Sequence, residues 1–246
     1  MRIYIFTEVY YPDLTSSGYF LTEIAEHLAL TNDVTVISTG KIKDPKSSFR
    51  NGVNIIRLKV STFNKFNLWK RLFAFINICL LFYNYARKLK IKKDAHIICV
   101  TNPALFIPFI TQLKKKIGFK LTIFVHDVFP ENLVATKILS SINPLYLLLL
   151  RIFNNSYQKT DQIIVCGRDM KLIFEKKLKK YKGVIKFIPN WADINLIYPI
   201  KQYKPIVYND RLIFQYAGNI GRAQGIINLV DAIKKNNSSQ FEFHFY

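Results

Sequence analysis

Residues 216–225 have the sequence YAGNIGRAQG, which has the form of a strand that ends at a phosphate-sized loop and restarts as a helix. The stretch holds three glycines and one arginine, with an apolar run before it and a helix-like run after it. Gly218 and Gly221 allow close backbone approach to an anion, and Arg222 supplies a charge that grips a phosphate. The spacing is neither GxGxxG nor a P-loop, so it does not favour NAD or ATP. It predicts a βαβ unit with its own anion-binding loop.

The rest of the chain shows the same alternation of strand and helix. Short β-branched runs predict strands at Arg2–Thr7, Asp33–Ser38, Val53–Leu58, His96–Val100, Lys120–Val125, Gln162–Cys166 and Val184–Ile188. Helical patterns lie near 18–30, 66–90, 104–117, 143–160 and 168–181. Strands rich in Ile and Val suit a sheet that is covered on both faces. The predicted fold class is α/β: a doubly wound parallel sheet with right-handed crossovers, plus the first βαβ of an incomplete second Rossmann-like domain.

Domain limits follow from where this rhythm stops. Residues 1–189 form the predicted first domain, and residues 190–210 lose the alternation and are interpreted as a linker. Residues 211–246 begin a second domain, but a lone βαβ unit is too small to bury its own apolar faces. We therefore expect the sequence to be cut short within that domain.

Composition restricts the class of partner. The chain has 246 residues and a formal net charge of +20, which favours an anionic partner, although a generally lysine-rich composition explains much of the excess. The basic residues are scattered without a recognition motif, so nucleic acid is not expected. Three widely spaced cysteines indicate neither a zinc site nor disulfides and fit a reducing cytoplasm. We expect no signal peptide and no membrane-spanning helix.

Two long apolar patches leave two interpretations open. They occupy positions 68–93 and 142–153. The first is flanked by basic residues, namely Lys70, Arg71, Arg87 and Lys88. Basic flanks around an apolar face are typical of a helix that lies on an anionic membrane surface. The same pattern is also typical of a core helix with solvated ends.

Polar residues follow several predicted strands, at the edge where parallel sheets bind ligands. Gly18 stands just ahead of the first helix, where it suits either a phosphate contact or an ordinary turn. His126 and Asp127 directly follow the apolar run LTIFV, and an imidazole beside a carboxylate orients a hydroxyl or shuttles a proton. A structural histidine is the alternative. Asn102 and Asn190, taken alone, are ordinary turn residues.

Together these motifs resemble the family 4 glycosyltransferases of the GT-B fold. The quoted segments occur in the family's order: EVYYPD and SSGYFLTEIAEHLA, then HDVFPE, IIVCGRDMKLIFEKK, IPNWAD and YAGNIGRAQGIINLVDAI. The nearest branch resembles bacterial enzymes of capsule and O-antigen assembly, of the fucosaminyltransferase-like type. The resemblance covers essentially the whole chain, as an acceptor-side N-terminal domain and the start of a donor-binding C-terminal domain.

The resemblance also implies roles for individual residues. It implies catalytic roles for His126 and Asp127. Donor binding is implied for Gly18, Asn190, Gly218, Asn219, Gly221, Arg222 and Gln224. Acceptor-side roles are implied for Glu8, Asn102 and Glu131. The family usually has arginine and lysine at the positions held here by Asn219 and Gln224, and its later pair of glutamates has no counterpart in this sequence.

The function implied is that of a retaining glycosyltransferase. It would move a sugar from a nucleotide-diphosphate donor to a polyprenyl-diphosphate-linked saccharide in surface polysaccharide biosynthesis, with no cofactor and no required metal. We expect the chain to be cytoplasmic, peripheral at the inner face of the cytoplasmic membrane, and inactive alone because its second domain is incomplete. The alternative is a non-catalytic membrane-surface or acceptor-binding module.

Overall fold

The computed structural model describes residues 1–13, 15–41, 44–60, 68–194, 197–199, 212–220, 224–236 and 240–246, with side chains of the second helix described from position 73. The strands of its larger sheet are β1 Arg2–Phe6, β2 Asp33–Gly40, β3 Ser47–Arg50, β4 Val53–Lys59, β5 His96–Val100, β6 Lys120–Val125, β7 Gln162–Val165 and β8 Val184–Phe187. The helices between them are α1 Ser16–Ala29, α2 Leu68–Lys88, α3 Phe106–Ile117, α4 Glu131–Ala135, α5 Pro144–Tyr157 and α6 Arg168–Lys177.

These eight strands form one sheet in the order β3-β4-β2-β1-β5-β6-β7-β8. Every pair is parallel except β3 with β4. The predicted α/β class, the seven predicted strands and the predicted long helices are confirmed, with ends that differ by a few residues. Two short elements, β3 and α4, were not predicted.

The unpredicted strand β3 belongs to a hairpin. Its antiparallel partner is β4, and the turn between them is Asn51–Gly52, with φ angles of 43° and 82°. Positive φ at both residues is the backbone that an Asn-Gly hairpin turn requires. The signal for this hairpin was therefore present in the sequence, although the flanking strand is short and polar.

The two sheet faces carry separate cores. One face is covered by α2, α3, α5 and α6, and its core includes an aromatic group in which Phe6 and Phe106 lie 5.1 Å apart and Phe82 meets both edge-on. The other face carries α1, whose Leu21 and Ala25 pack on β1, β2 and β4. The sheet is therefore doubly wound, as the apolar strands predict.

Local signals set the ends of the helices that matter for the site. Thr15 caps α1 by accepting a hydrogen bond from the Gly18 amide at 3.1 Å. Asn143 caps α5 in the same way, and Pro144 follows it at the first helical position. Gly118 ends α3 in the left-handed conformation, with φ of 88°.

A second, two-stranded sheet contains the stretch that predicted the βαβ unit. Its strands β9 Leu212–Tyr216 and β10 Phe241–Phe245 are parallel, and α7 Ile226–Lys235 lies between them in the chain. The expected strand, helix and strand are thereby confirmed. Half of the Phe214 surface remains exposed, at 49%. The domain limits at 1–189, 190–210 and 211–246 stay a prediction.

Candidate functional site

The site is built where the strand order of the large sheet reverses. β1 is paired with β2 on one side and with β5 on the other, and β6 lies beside β5. Chain connections leave this point in opposite directions, so a crevice opens at the carboxyl ends of the strands. Residues that directly follow β1, β5 and β6 are therefore placed to meet a ligand.

His126 follows β6 and is fixed in this edge through its backbone. The amides of His126 and Asp127 both donate to the hydroxyl of the buried Thr101, at 3.0 and 3.2 Å. The imidazole also packs edge-on against Phe124, with ring centroids 5.0 Å apart. Thr101 follows β5, so one threonine couples the ends of two neighbouring strands and sets the position of the histidine.

Ser17, in the first turn of α1, contacts the same imidazole. Its Oγ lies 2.9 Å from His126 Nδ1. The other ring nitrogen, Nε2, is buried and has no hydrogen-bond partner among the residues that the structure describes. A buried polar atom without a partner is costly, and a ligand hydroxyl is one way to satisfy it. Ser17 was not predicted, because 109 residues separate it from His126.

Gly18 lies beside this contact and has a structural task. A Cβ at this position would stand 2.7 Å from the backbone oxygen of Asp13, so a larger residue would displace the loop before α1. Its amide already donates to the side chain of Thr15. The amide of Gly18 is thus occupied by helix capping, and its role toward a donor diphosphate stays a prediction.

Glu8 and Asn102 meet at the other side of the same edge. The Glu8 amide donates to the Asn102 carbonyl oxygen at 3.1 Å, which joins the loops after β1 and β5. One carboxyl oxygen of Glu8 is buried without a described partner. Burial, and then the charge of Asp13, raise the pKa of Glu8. The pKa of Cys79 in α2 is also raised, first by burial and then by the charge of Glu8.

Asp127 and Glu131 differ in their surroundings. Asp127 is exposed. Glu131 forms an ion pair with Lys177 at 2.9 Å, and this lysine is only 10% exposed. Its ammonium group also lies 4.4 Å from the ring centre of Phe174. Glu131 is thereby tied to α6, through a lysine that no local sequence pattern identified.

The predicted donor-binding residues after β8 are not all described. Asn190, Gly218, Asn219 and Gln224 are exposed, and Gly221 and Arg222 lie outside the described residues. The Gly218 amide is 3.4 Å from the carbonyl oxygen of Tyr246, and the Asn219 carbonyl accepts from the Tyr216 hydroxyl. These two contacts of Gly218 and Asn219 stay within the unit of β9, α7 and β10.

The described part of the chain contains neither a cluster of metal ligands nor a helix that could span a membrane. No group of three or more His, Cys, Asp or Glu side chains in it is arranged to hold a metal ion. None of its helices combines the length and the apolar character that crossing a bilayer requires.

The pH response of His126 can be derived from its surroundings. Burial lowers the pKa of the imidazole below its ordinary value of about 6.5, and Asp127 opposes part of this shift. We expect a neutral ring at pH 7. At a pH between the lowered pKa of the folded state and the ordinary pKa of the unfolded state, the unfolded chain binds more protons than the folded chain. The stability contributed by His126 is therefore complete above about pH 6.5 and is lost as the pH falls through the folded-state pKa. Nitrogen-edited NMR titration measures the midpoint directly, with a His126→Asn variant to assign the signal. A midpoint above 6.5 would contradict the burial described.

Comparisons with known proteins agree with this architecture. The sequence model described as "Glycosyltransferase Family 4" matches residues 17–196. A probable glycosyltransferase, WbjE from Pseudomonas aeruginosa, is 30% identical over 250 aligned residues, covering 98% of this chain and 62% of WbjE. The chain thus spans less than two thirds of that relative.

Solved structures show the same fold at low sequence identity. Sucrose-phosphate synthase from Thermosynechococcus elongatus has a TM-score of 0.69 and 16% identity, over 100% of this chain and 62% of that one. HepE from Anabaena, in complex with UDP and glucose, has a TM-score of 0.56 and 13% identity, over 100% and 60%. The sheet order, the matched motifs and the extent of the sequence match lead to one conclusion: this chain belongs to glycosyltransferase family 4.

Proposed function

We propose that this chain is the acceptor-side part of a retaining glycosyltransferase of surface polysaccharide biosynthesis. The observation that carries the proposal is His126 at the strand-order reversal, with Nδ1 held by Ser17 and Nε2 buried without a described partner. Because the chain spans 62% of the length of WbjE, the activity proposed is that of the whole protein. The similarity to WbjE, a probable glycosyltransferase, supports this reaction class.

The donor we propose is a nucleotide-diphosphate sugar. HepE, which shares the fold, was solved with UDP and glucose. His126 contacts the transferring sugar, and Asp127 lies next to it. The loop containing Gly218, Gly221 and Arg222 stabilises the departing diphosphate through backbone amides and one positive charge, so the reaction needs no metal ion.

Ser17 holds one nitrogen of the imidazole, and the direction of that hydrogen bond decides whether Nε2 donates or accepts. When the serine hydroxyl donates to Nδ1, the single proton of the neutral ring is on Nε2, which then donates to a sugar hydroxyl. When Nδ1 donates to the serine, Nε2 accepts instead. In both cases a neutral ring with one held nitrogen gives a defined contact to the sugar without adding positive charge beside an oxocarbenium-like transition state.

The acceptor we propose is a saccharide carried on polyprenyl diphosphate. Glu8 and Asn102 are joined across the ends of β1 and β5. The buried oxygen of Glu8 suits a contact with an acceptor hydroxyl, since such a contact would satisfy it. Glu131 is held by Lys177 and would act from a fixed position.

A membrane surface is the second partner we propose. The exposed side of α5 is apolar, with Leu145, Leu147 and Leu148 each at least half exposed, and Arg151 lies among them. The opposite side of α5 is buried, so the 142–153 patch is a core helix and an exposed apolar surface at once. On α2, Phe73 is likewise 69% exposed. Apolar side chains beside basic ones favour an anionic lipid surface.

Vesicle binding tests this surface. The double substitution Leu145→Ser and Leu148→Ser is expected to weaken binding to phosphatidylglycerol vesicles about 10-fold or more. The reason is that two apolar side chains are no longer transferred from water into the lipid surface. Leu172→Ser, which removes a leucine 66% exposed on α6, is the matched control. Vesicle co-sedimentation measures both. Equal binding by the double variant and the parent would remove this part of the proposal.

The experiment that tests the enzymatic proposal measures nucleotide-sugar binding and transfer with and without the His126 imidazole. Turnover of the donor separates an enzyme from the alternative, a non-catalytic membrane-surface or acceptor-binding module. The alternative predicts saccharide or lipid binding that is independent of any nucleotide sugar.

A further inference from the structure

An aromatic groove runs along the outer side of α1, on the far side of that helix from the sheet. It has a volume of about 540 Å³. One wall is the loop before α1 and the helix itself, and the other is the segment after β8 that begins at Trp191. Phe20 and Trp191 meet edge-on across it, with centroids 4.9 Å apart. We call this feature the α1 groove; the residues that line it include Tyr11, Ser16, Tyr19, Phe20, Glu23 and Trp191.

The charges around the α1 groove exclude polyanions. Three carboxylates line it, from Asp13, Glu23 and Asp193, against a single arginine. That arginine, Arg50, is already engaged: it donates to Glu26 at 2.7 Å and stacks 3.8 Å over the Tyr11 ring. In a chain with a net charge of +20, this is a locally acidic surface. A diphosphate, a nucleic acid or an anionic headgroup would be repelled there.

The aromatic rings and the carboxylates fit one ligand chemistry together. Pyranose rings present apolar C–H faces that pack on aromatic side chains, and hydroxyls that donate to carboxylates. Glu23 and Asp193 line the same groove as the Tyr19 ring, and desolvation and then the charges of Asp193 and Glu23 raise the pKa of Tyr19. A groove that is mostly apolar with a few convergent polar groups is the usual form of a small-molecule site.

The α1 groove and the histidine site share the first turn of α1. Ser16 lines the groove, and the next residue, Ser17, contacts His126. Among the described residues that line the groove there is neither Ser17 nor His126, so the two sites are neighbours at the start of α1 and not one cavity.

We propose that the α1 groove binds a neutral saccharide, namely sugar units of the acceptor glycan remote from the hydroxyl that is glycosylated. This inference rests on the proposed function for the identity of the saccharide as an acceptor. The binding site itself rests on the groove alone, so the two can be tested separately.

The test uses Trp191 as a reporter in the full chain. Trp69→Phe removes the other tryptophan, and the fluorescence of Trp191 is then followed during titration with chitotriose, maltotriose and fucosyllactose. We expect a saturable change with at least one trisaccharide. Tyr19→Ala is expected to weaken binding about 5- to 10-fold through loss of ring contact, and Tyr19→Phe to keep most of it. Leu172→Ala, which truncates a leucine 66% exposed on α6 and outside the groove lining, is the remote control and should bind like the parent.

Two results would overturn the inference: no saturable change with any of the three trisaccharides, or binding that Tyr19→Ala leaves unchanged. A parallel titration with nucleotide sugars separates this from the proposed function. If nucleotide sugars bind through His126 but no trisaccharide binds, only the groove inference is lost. If trisaccharides bind through Tyr19 and the whole protein binds no nucleotide sugar, the groove stands as a saccharide site and the transferase proposal falls.

Discussion

Replacing Phe153 by alanine is expected to lower the free energy of unfolding by about 3–5 kcal/mol. The ring is fully buried on the inner side of α5, and its centroid lies 4.6 Å from that of Phe129. Alanine removes the buried ring area and leaves a cavity, because the neighbouring Tyr157 is itself fully buried and fixed by a contact to the Phe129 carbonyl. The expected loss of stability is large because the lost burial of the ring and the cavity left behind both destabilise the folded state.

Leu148→Ala on the same helix is the matched control. Leu148 is 55% exposed, so its truncation should change the free energy of unfolding by no more than about 0.5 kcal/mol. Urea unfolding followed by circular dichroism measures both variants. Similar losses in the two would mean that α5 does not bury the side that the structure assigns to the core.

Phe153 also supports the functional edge. Phe129 lies three residues after His126, in the loop that continues from β6, and it packs directly on Phe153. The site is thus held from behind by the core under α5. Loss of Phe153 should therefore broaden the NMR signals of the His126 ring even under conditions where the protein stays folded.

The fold was largely predictable because its strands are locally distinctive. Ile- and Val-rich runs such as His96–Val100 and Lys120–Val125 were predicted with the ends that the structure has. The strand Ser47–Arg50 was missed because its residues are polar and its pairing depends on the Asn51–Gly52 turn. A strand that forms mainly because it pairs with a neighbouring strand has little apolar alternation in its own sequence.

The site was predictable only where a residue follows a strand directly. His126 was found in this way, since the carboxyl edge of a parallel sheet is known once the strands are known, whereas Glu8 was named only through the family resemblance. Ser17, Thr101 and Lys177 were not found, because each acts through a contact to a residue distant in sequence. Such contacts depend on how the sheet orders its strands, which no local pattern encodes.

The apolar patches show a third kind of limit. Position 142–153 has leucines on all sides, so periodicity does not tell which side enters the core. The structure resolves this: Phe153 and Tyr157 are buried, and Leu145 and Leu148 are exposed. The sequence was compatible with a core helix or with a helix on a membrane surface. One side of α5 is buried, as in a core helix, and its other side is apolar and exposed, as a membrane-surface helix requires.

Replacing His126 by alanine in the whole protein is expected to lower sugar transfer from a nucleotide sugar about 100-fold. The imidazole is the one group at the β1–β5–β6 edge that combines a fixed nitrogen with a buried nitrogen lacking a described partner. A contact to the transferring sugar through that second nitrogen is worth most when charge develops on the sugar ring. Ser17→Ala keeps the imidazole but removes the hydrogen bond that holds its Nδ1, so transfer should fall by a smaller factor, about 3- to 10-fold.

The measurement has two parts and one matched control. Saturation-transfer NMR with UDP-, GDP- and dTDP-sugars reports binding to the chain, and transfer of labelled sugar to lipid-linked acceptors in bacterial membranes reports chemistry. His96→Gln is the control: His96 lies at the opposite end of the same sheet, bonded to Thr122 at 2.8 Å, and glutamine keeps a polar group there. Equal transfer by His126→Ala and by the control would show that the imidazole has no part in the reaction. A large loss of transfer in His126→Ala, a smaller loss in Ser17→Ala and none in the control would show that the reaction depends on the Ser17–His126 contact between α1 and the end of β6.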